Sequence, residues 1–178
     1  MDGERWKRAW VVTLAGVVAL GFAMSGCGAK EPGRFYHKGV SIKLPDDWEK
    51  KKDVMGAAIA AVSPLESADD AFRENVNVIA AGLPAAWSAA EFASQNIAHM
   101  QKLLTDFEEQ DRGQASIDGK EARWFVYNHR MGTVKIRALA YFVAHGRRGA
   151  VITCSAAPET FDSHRTQFEE IAGTFRFE

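Results

Sequence analysis

The sequence predicts an α+β domain: an α/β/α sandwich in which a twisted antiparallel β-sheet has helices on both faces. Three observations predict it. Consecutive strand-like segments are separated by tight-turn dipeptides, and only two helix-like segments interrupt them. A third observation concerns AYFVA, residues 140–144, which offers no polar position on either face. A strand of this kind requires cover on both sides of its sheet.

The first strands are expected near the start of the domain. In Phe35–Leu44, a turn at Lys38-Gly39 is followed by alternating apolar and polar residues, which is strand periodicity. The charge run EKKKD, residues 49–53, indicates a solvated turn or the edge of a sheet.

Two more strands are expected before the first helix. Val54–Val62 is small and apolar, and we interpret it as a buried strand because Gly56 and Pro64 disfavour a helix there. Asn75–Leu83 alternates asparagine with valine, which again predicts a strand.

The clearest helix is expected at about Ser88–Leu104. The tetrapeptide SAAE forms a capping box, in which the Ser88 hydroxyl accepts from a backbone N–H and the Glu91 side chain reaches back. Helical spacing places seven apolar residues on one broad face: Ala89, Phe92, Ala93, Ile97, Met100, Leu103 and Leu104.

Four strands and a second helix are expected after it. The turns are predicted at Asp118-Gly119, which tolerates positive φ at both positions, at Met131-Gly132 and at Gly146–Gly149. The predicted strands are Phe107–Ile117, Lys120–Arg130, Thr133–His145 and Ala150–Ala156. The second helix follows Pro158, ends at Gly173 and precedes a short last strand, and its buried face is expected to hold Phe161, Arg165, Phe168 and Ile171.

The N-terminus has the pattern of an export signal. A short segment with three basic residues precedes 16 uncharged residues, 9–24, which is fewer than the ~20 that a spanning helix needs. The small residues Ser25 and Gly26 then precede Cys27, as a signal peptidase requires.

The segment MSGC, residues 24–27, resembles the lipobox of bacterial lipoproteins, with Met24 in place of the usual leucine. The resemblance implies cleavage between Gly26 and Cys27 and attachment of diacylglycerol, with fatty chains such as palmitate, to Cys27. Two or three acyl chains hold a protein on a membrane stably. An uncleaved membrane anchor and a plain secretory signal are the alternatives. Because no aspartate follows Cys27, the resemblance also implies outer-membrane sorting in a host with two membranes.

These features divide the chain into three parts. Residues 1–26 are the expected lipoprotein signal peptide, residues 27–34 the lipidated cysteine and a flexible tether, and residues 35–178 one folded domain. The expected location is therefore the cell envelope, anchored by lipid and facing the periplasm or the exterior.

No constellation of catalytic, cofactor-binding or metal-binding residues is visible in the sequence. The 22 basic and 23 acidic residues balance, which argues against nucleic-acid binding. The five histidines show no metal-ligand spacing, and no nucleophile elbow or phosphate loop occurs. We interpret His99 as a surface residue, His129 as close to a turn and Cys154 as a buried structural residue. The adjacent carboxylates are interpreted as solvated: Asp46-Asp47, Asp69-Asp70, Glu108-Glu109 and Glu169-Glu170.

Two segments are candidates for a partner surface. In RWFVY, residues 123–127, alternation places Trp124 and Val126 on one face and Phe125 and Tyr127 on the other, which is typical of a covered core strand. The basic dipeptide Arg147-Arg148 is either a solvated turn or a site for anionic lipid or an acidic partner.

Three phrases together resemble the PsbP-like/Mog1-like group, particularly DcrB-type bacterial lipoproteins: GVSIKLPDDW, NVNVIAAG and FEEIAGTFRF. The resemblance implies the sandwich described above, and it implies a scaffolding or interaction role rather than a defined chemistry. Three functions follow as hypotheses. The first is a non-enzymatic, lipid-anchored interaction module with a protein partner. The second is a carrier or sensor of a small apolar ligand in a cleft between sheet and helix. The third is an enzyme whose site assembles only in three dimensions.

Overall fold

The computed structural model describes residues 31–67 and 72–178. Within these residues the chain forms an α+β domain, and the predicted fold class is confirmed. The elements in chain order are β1 (Arg34–His37), β2 (Val40–Lys43), β3 (Glu49–Val54), β4 (Ala57–Val62), β5 (Asn75–Gly82), α1 (Ala89–Leu103), β6 (Thr105–Ile117), β7 (Lys120–Met131), β8 (Val134–His145), β9 (Arg148–Ala156), α2 (Phe161–Gly173) and β10 (Arg176–Phe177).

The described strands form two antiparallel sheets. The large sheet has seven strands in the order β3-β4-β5-β9-β8-β7-β6, so β5 pairs with β9 across the intervening hairpins. The small sheet has the order β1-β2-β10. The first two strands and the last one therefore lie apart from the large sheet, a separation that the sequence pattern did not predict. Pro45 follows β2 closely and cannot donate a ladder hydrogen bond, so the chain leaves the small sheet there.

Both faces of the large sheet are covered, as its apolar strands predicted. On one face, α2 and the small sheet enclose a core to which Ile42, Ile59, Leu139 and Phe168 contribute. On the other face, α1 packs over β7, β8 and β9 and encloses a second core that is rich in aromatic rings: Phe92, Phe125, Tyr127 and Phe142. The predicted alternation in β7 is confirmed, because Val126 points into the first core and Phe125 and Tyr127 point into the second.

The folded domain begins earlier than the predicted boundary at Phe35. Arg34, placed by the sequence in the tether, is the first residue of β1 and is buried. Its guanidinium donates hydrogen bonds to Ser41 Oγ at 3.1 Å and to the carbonyl oxygen of Thr174 at 2.7 Å. These bonds satisfy a buried charge, so Arg34 belongs to the fold. The predicted signal peptide, with Gly26 and Cys27, lies outside the described residues.

The charge run before β4 forms the edge of the large sheet. Strand β3 contains the whole EKKKD segment and pairs with β4 along one side only. Charged side chains on an edge strand discourage pairing with another chain. The predicted buried strand in Val54–Val62 is confirmed, although β4 begins at Ala57. Met55 and Gly56, with φ of 49° and 86°, form the turn before it.

Helix α1 begins as the sequence predicted. Ser88 caps it, its hydroxyl accepts a hydrogen bond from the Glu91 amide at 3.2 Å, and the Glu91 carboxylate accepts one from the Ser88 amide at 2.8 Å. Leu103 was wrongly assigned to the buried face, because its side chain is 66% exposed. It lies one position before Leu104, which continues the stripe of Ile97 and Met100 onto the sheet.

The later turns and the second helix follow the prediction with small shifts. Asp118 and Gly119 have φ of 53° and 68°, which confirms the expected hairpin. Strand β7 extends through Met131, so the next turn lies one residue later than predicted, at Gly132. On α2 the three apolar residues of the predicted face are buried, whereas the Arg165 side chain stays 35% exposed at the margin of that face.

Candidate functional site

A concavity lies between α1 and the β6–β7 edge of the large sheet. We call it the α1–β6 groove, and its volume is about 580 Å³. Phe125 and Phe142 lie at its base, but they are 1% and 0% exposed, so its accessible apolar surface comes from other side chains, such as Ile97 and Ala98. One wall is α1 and the other consists of polar side chains of β6 and β7. The size falls in the range of ligand-binding pockets, and the mixture of an apolar wall with a polar rim is typical of a binding site.

The sequence of α1 explains why the groove is open. The helix residues that line it are short: Ala90, Ala93, Ser94 and Ala98, with Ile97 and Gln101. Because short side chains recur at helical spacing on this flank, the helix leaves space beside the β6–β7 edge instead of filling it. The apolar periodicity of α1 predicts its buried face and gives no signal for this open flank.

Behind the opposite wall, on the α2 face of the sheet, Gly113 of β6 makes a close contact with the ring of Trp124 of β7. A Cβ atom on Gly113 would lie 2.5 Å from Trp124 Cζ2. The indole Nε1–H donates to the carbonyl oxygen of Gln114 at 3.3 Å, which holds the ring against β6. Trp124 is half-buried here rather than fully in the core, and the Arg165 guanidinium lies 5.5 Å from its ring centre.

The rim of the groove carries charges of both signs. Arg112 and Glu109 form a two-point ion pair, in which Arg112 Nη2 lies 2.6 Å from Glu109 Oε2. Arg123 pairs with Glu121 at 2.7 Å. These pairs are exposed to solvent and contribute little to stability, so they remain available for exchange with charges on a bound partner.

The histidines singled out in the sequence do not meet. His99 is exposed on α1, which confirms its interpretation as a surface residue, and His145 is exposed at the end of β8. His129 is half-buried near the end of β7, stacks on Tyr127 with ring centres 5.6 Å apart, and lines a separate cavity of about 270 Å³. That cavity contains neither His99 nor His145.

His129 has an incompletely satisfied ring. Its Nδ1 atom is buried and makes no hydrogen bond within the described residues. Burial lowers the pKa of His129 below its ordinary value, partly offset by a backbone hydrogen bond at Arg130. The carboxylates of Asp106, Glu108 and Glu159 line the same cavity.

Cys154 is a structural residue, as predicted. It is 0% exposed in the core beneath α2, and its Sγ lies 3.9 Å from the carbonyl oxygen of Phe168. Burial raises the pKa of this thiol well above its usual range, which suppresses the reactive thiolate.

The adjacent carboxylates of the described region do not form acid–base pairs. Asp46, Asp47, Glu169 and Glu170 are exposed, as the sequence analysis expected, while Glu109 points into the rim of the α1–β6 groove. The pair Asp69-Asp70 lies outside the described residues.

The basic dipeptide at the start of β9 serves the fold. Arg147 Nε donates to the carbonyl oxygen of Leu83 at 3.3 Å. Arg148 donates to the carbonyl oxygens of Gly39 and Glu178, and its guanidinium lies 4.7 Å from the ring centre of Phe177. Arg148 is therefore bound to the fold and is more than a solvated turn residue, while a role of the dipeptide toward lipid or an acidic partner stays a prediction. Neither described helix has the length and apolar character needed to cross a membrane.

The fold is shared with solved structures of bacterial proteins. The chain matches CyanoP, the cyanobacterial PsbP of Synechocystis sp. PCC 6803, with a TM-score of 0.60 and 16% identity over 87% of this chain and 99% of that chain. It matches LpqN of Mycobacterium tuberculosis, which is involved in cell envelope biogenesis, with a TM-score of 0.61 and 15% identity over 76% and 81% of the two chains. PA94 of Pseudomonas aeruginosa, a protein of unknown function, matches with a TM-score of 0.56 and 13% identity over 79% and 93%.

These likenesses establish the class of domain. The chain has a PsbP-like α+β fold, in agreement with the resemblance in its sequence. At identities of this order, the similarity shows the fold and carries no chemistry with it. No protein-family model matches the sequence, and no curated protein sequence matches it either.

Proposed function

We propose that the protein is a non-enzymatic, lipid-anchored component of the bacterial cell envelope, and that its domain is an interaction module. The observation that carries the interaction role is the α1–β6 groove, with its apolar α1 wall, which includes Ile97 and Ala98, and its charged rim. The lipobox-like segment at residues 24–27 supports the anchor. The shared fold with LpqN, a protein of cell envelope biogenesis, supports the location.

The occupant that fits the groove best is an extended segment of a partner protein. The groove is open along its length and runs beside β6, which has an unpaired edge in the large sheet of described strands. An extended chain can hydrogen-bond to such an edge while its apolar side chains enter a neighbouring groove. The rim charges of Arg112, Glu109 and Arg123 would then set the register of the segment.

A site-specific crosslinking experiment tests the interaction role. A photoreactive amino acid replaces Ser94, which lines the groove, and in a matched control it replaces Gln95, an exposed neighbour on α1 outside the lining. We expect a discrete crosslinked protein in cell envelopes from the Ser94 position only. Identical patterns from both positions, or no product from Ser94, would contradict the proposal.

Mass spectrometry of the protein isolated from its host tests the anchor separately. The proposal requires a mature chain that begins at Cys27 and carries the mass of diacylglycerol with its acyl chains. Replacement of Cys27 by Ala should release the protein from membranes or leave the leader uncleaved. A wild-type protein with its leader intact, or with an unmodified Cys27, would refute lipidation and leave the groove proposal standing.

The second candidate function is a carrier of a small apolar molecule in the same groove. Its support is the apolar α1 wall and a volume typical of small-molecule sites. Solvent extraction of the purified protein followed by mass spectrometry would detect a co-purified ligand, and an Ala98→Trp variant that fills the groove should lose it. A protein that yields no ligand but gives the Ser94 crosslink favours the partner segment.

A further inference from the structure

Three side chains with metal-binding atoms meet beside α2, away from the α1–β6 groove. Glu66 follows β4, Glu74 immediately precedes β5, and His164 lies in the first part of α2. One carboxylate oxygen of each glutamate and one ring nitrogen of the histidine all lie within 4.8 Å of one another. These residues share no sequence motif, so the fold alone brings them together.

The distances fit ligands of one ion better than hydrogen bonds. His164 Nε2 lies 3.5 Å from Glu66 Oε1 and 3.5 Å from Glu74 Oε1. Both separations exceed the usual N–H···O range of about 2.7–3.2 Å. Two ligands that each bind a tetrahedral zinc ion at about 2.0–2.1 Å stand about 3.3–3.4 Å apart. The two histidine–carboxylate distances thus match the spacing of ligands on a shared cation, and the two glutamate oxygens lie within 4.8 Å of each other.

Glu74 provides an independent observation, because it is a buried carboxylate. Its side chain is 4% exposed, and its Oε2 atom accepts a hydrogen bond from Ser63 Oγ at 3.0 Å. Its Oε1 atom faces His164, and no lysine or arginine of the described residues forms an ion pair with it. While His164 is neutral, this buried carboxylate has no cation beside it, which is costly, and a divalent ion on Oε1 would compensate it.

The surroundings give the site access and hold its histidine in place. Glu66 and Glu74 line a cavity of about 420 Å³ that also borders Thr160 at the start of α2, so an ion and an outside ligand can reach both carboxylates. The His164 ring stacks on Phe168, with ring centres 5.9 Å apart and an interplanar angle of 28°. This contact and its place on a helix fix the direction of Nε2.

We propose that Glu66, Glu74 and His164 bind one divalent transition-metal cation, and that zinc suits the site best. A nitrogen ligand with two carboxylates is typical of zinc and its neighbours, whereas calcium and magnesium prefer oxygen ligands alone. Two carboxylates and a neutral imidazole balance the ion's charge. A fourth ligand would come from water or a partner in the adjoining cavity. Bound metal would join the segment after β4 to α2 and stabilise the native state.

Metal titration of the full-length protein in detergent tests this proposal. Protein stripped with chelator is titrated with zinc chloride in a calorimeter, and cobalt(II) absorption reports the coordination geometry. We expect one zinc per chain and a cobalt spectrum typical of four-coordinate sites. Loss of one ligand in Glu66→Gln or His164→Gln should weaken binding by at least about tenfold, since even changes to residues behind the ligands cost this much.

The choice of variants keeps the test decisive. Glu66 has a side chain that is 58% exposed, so Glu66→Gln is expected to fold even if Glu74→Gln, at a buried position, does not. The matched controls are His99→Gln and Glu170→Gln, both at exposed helical positions, and they should bind zinc as the wild type does. Absence of stoichiometric binding, or equal affinities for wild type, Glu66→Gln and His164→Gln, would overturn the site. Neither result depends on the groove or the anchor.

Discussion

The guanidinium of Arg148 hydrogen-bonds to the backbone carbonyl of Gly39 and thereby joins the large sheet to the small one. Arg148 begins β9, whereas Gly39 lies in the turn between β1 and β2. The same guanidinium donates to the carbonyl oxygen of Glu178 at 3.0 Å and lies over the ring of Phe177. One side chain therefore links the first hairpin, the last strand and the middle of the large sheet.

The first prediction concerns this link. Arg148→Ala should lower the free energy of unfolding by about 1–3 kcal/mol, because it removes charge-assisted hydrogen bonds and a cation–π contact together. Urea denaturation followed by tryptophan fluorescence measures the change. The matched control is Arg130→Ala, which breaks only an exposed ion pair with Asp106 and should cost less than about 0.5 kcal/mol. Equal losses in both variants would contradict a special role for Arg148.

The second prediction concerns the contact between Gly113 and Trp124. Gly113→Ala should destabilise the protein by about 1–3 kcal/mol, because a Cβ atom placed 2.5 Å from the indole forces the ring to move. The tryptophan emission should shift as well, since the ring loses its hydrogen bond to Gln114. Gly82→Ala is the control, because a Cβ there meets nothing within 4 Å and the backbone is unstrained. It should be neutral, or stabilising by about 0.4–1 kcal/mol.

The third prediction concerns acid stability. Hydrogen bonds from Lys43 and then Arg34 lower the pKa of Glu31 to about 2, from an ordinary value of 4.5. A lowered carboxyl pKa stabilises the fold above the ordinary value, and the contribution is lost as the pH falls from 4.5 towards 2. Glu31→Gln should therefore lower the melting temperature at pH 7, and the difference from wild type should shrink as the pH approaches 2. A difference that stays constant across this range would count against the pairing.

The fourth prediction concerns the two thiols. Because Cys154 is fully buried and burial raises the pKa of its thiol, it should not react with a thiol reagent until the protein unfolds. If Cys27 carries diacylglycerol, protein isolated from its host should show no reactive thiol when native and one in denaturant. Two thiols in denaturant would mean that Cys27 is unmodified. A thiol that reacts in native Cys27→Ala protein would show that Cys154 is accessible.

The elements that sequence reasoning predicted well are those fixed by neighbours along the chain. The capping box of Ser88 and Glu91 needs only residues three apart, and the turn at Asp118-Gly119 needs only a dipeptide that tolerates positive φ. The burial of Cys154 followed from strand alternation with its apolar neighbours. Such local signals depend little on the rest of the fold, so the sequence alone predicts these features.

Errors arose where the outcome depends on residues distant in the chain. The local sequence around Arg148 is compatible with a solvated turn. The carbonyl groups of Gly39 and Glu178, which accept its hydrogen bonds, are far away in the chain. Arg34 was placed in a tether because Ser41 and Thr174, which satisfy its charge, approach only after the small sheet closes. A charged residue's environment is set by the packed structure and not by its local composition.

The sequence by itself determined the fold class, the start of α1, the hairpin turns and the two apolar faces of the large sheet, because periodicity and turn chemistry act over a few residues. The tertiary structure alone decided where the candidate binding surfaces lie. The α1–β6 groove exists because short side chains on α1 face polar side chains of β6 and β7, which follow later in the chain. Glu66, Glu74 and His164 share no sequence motif. The packing of their three segments brings one ligand atom of each to within 4.8 Å of the others.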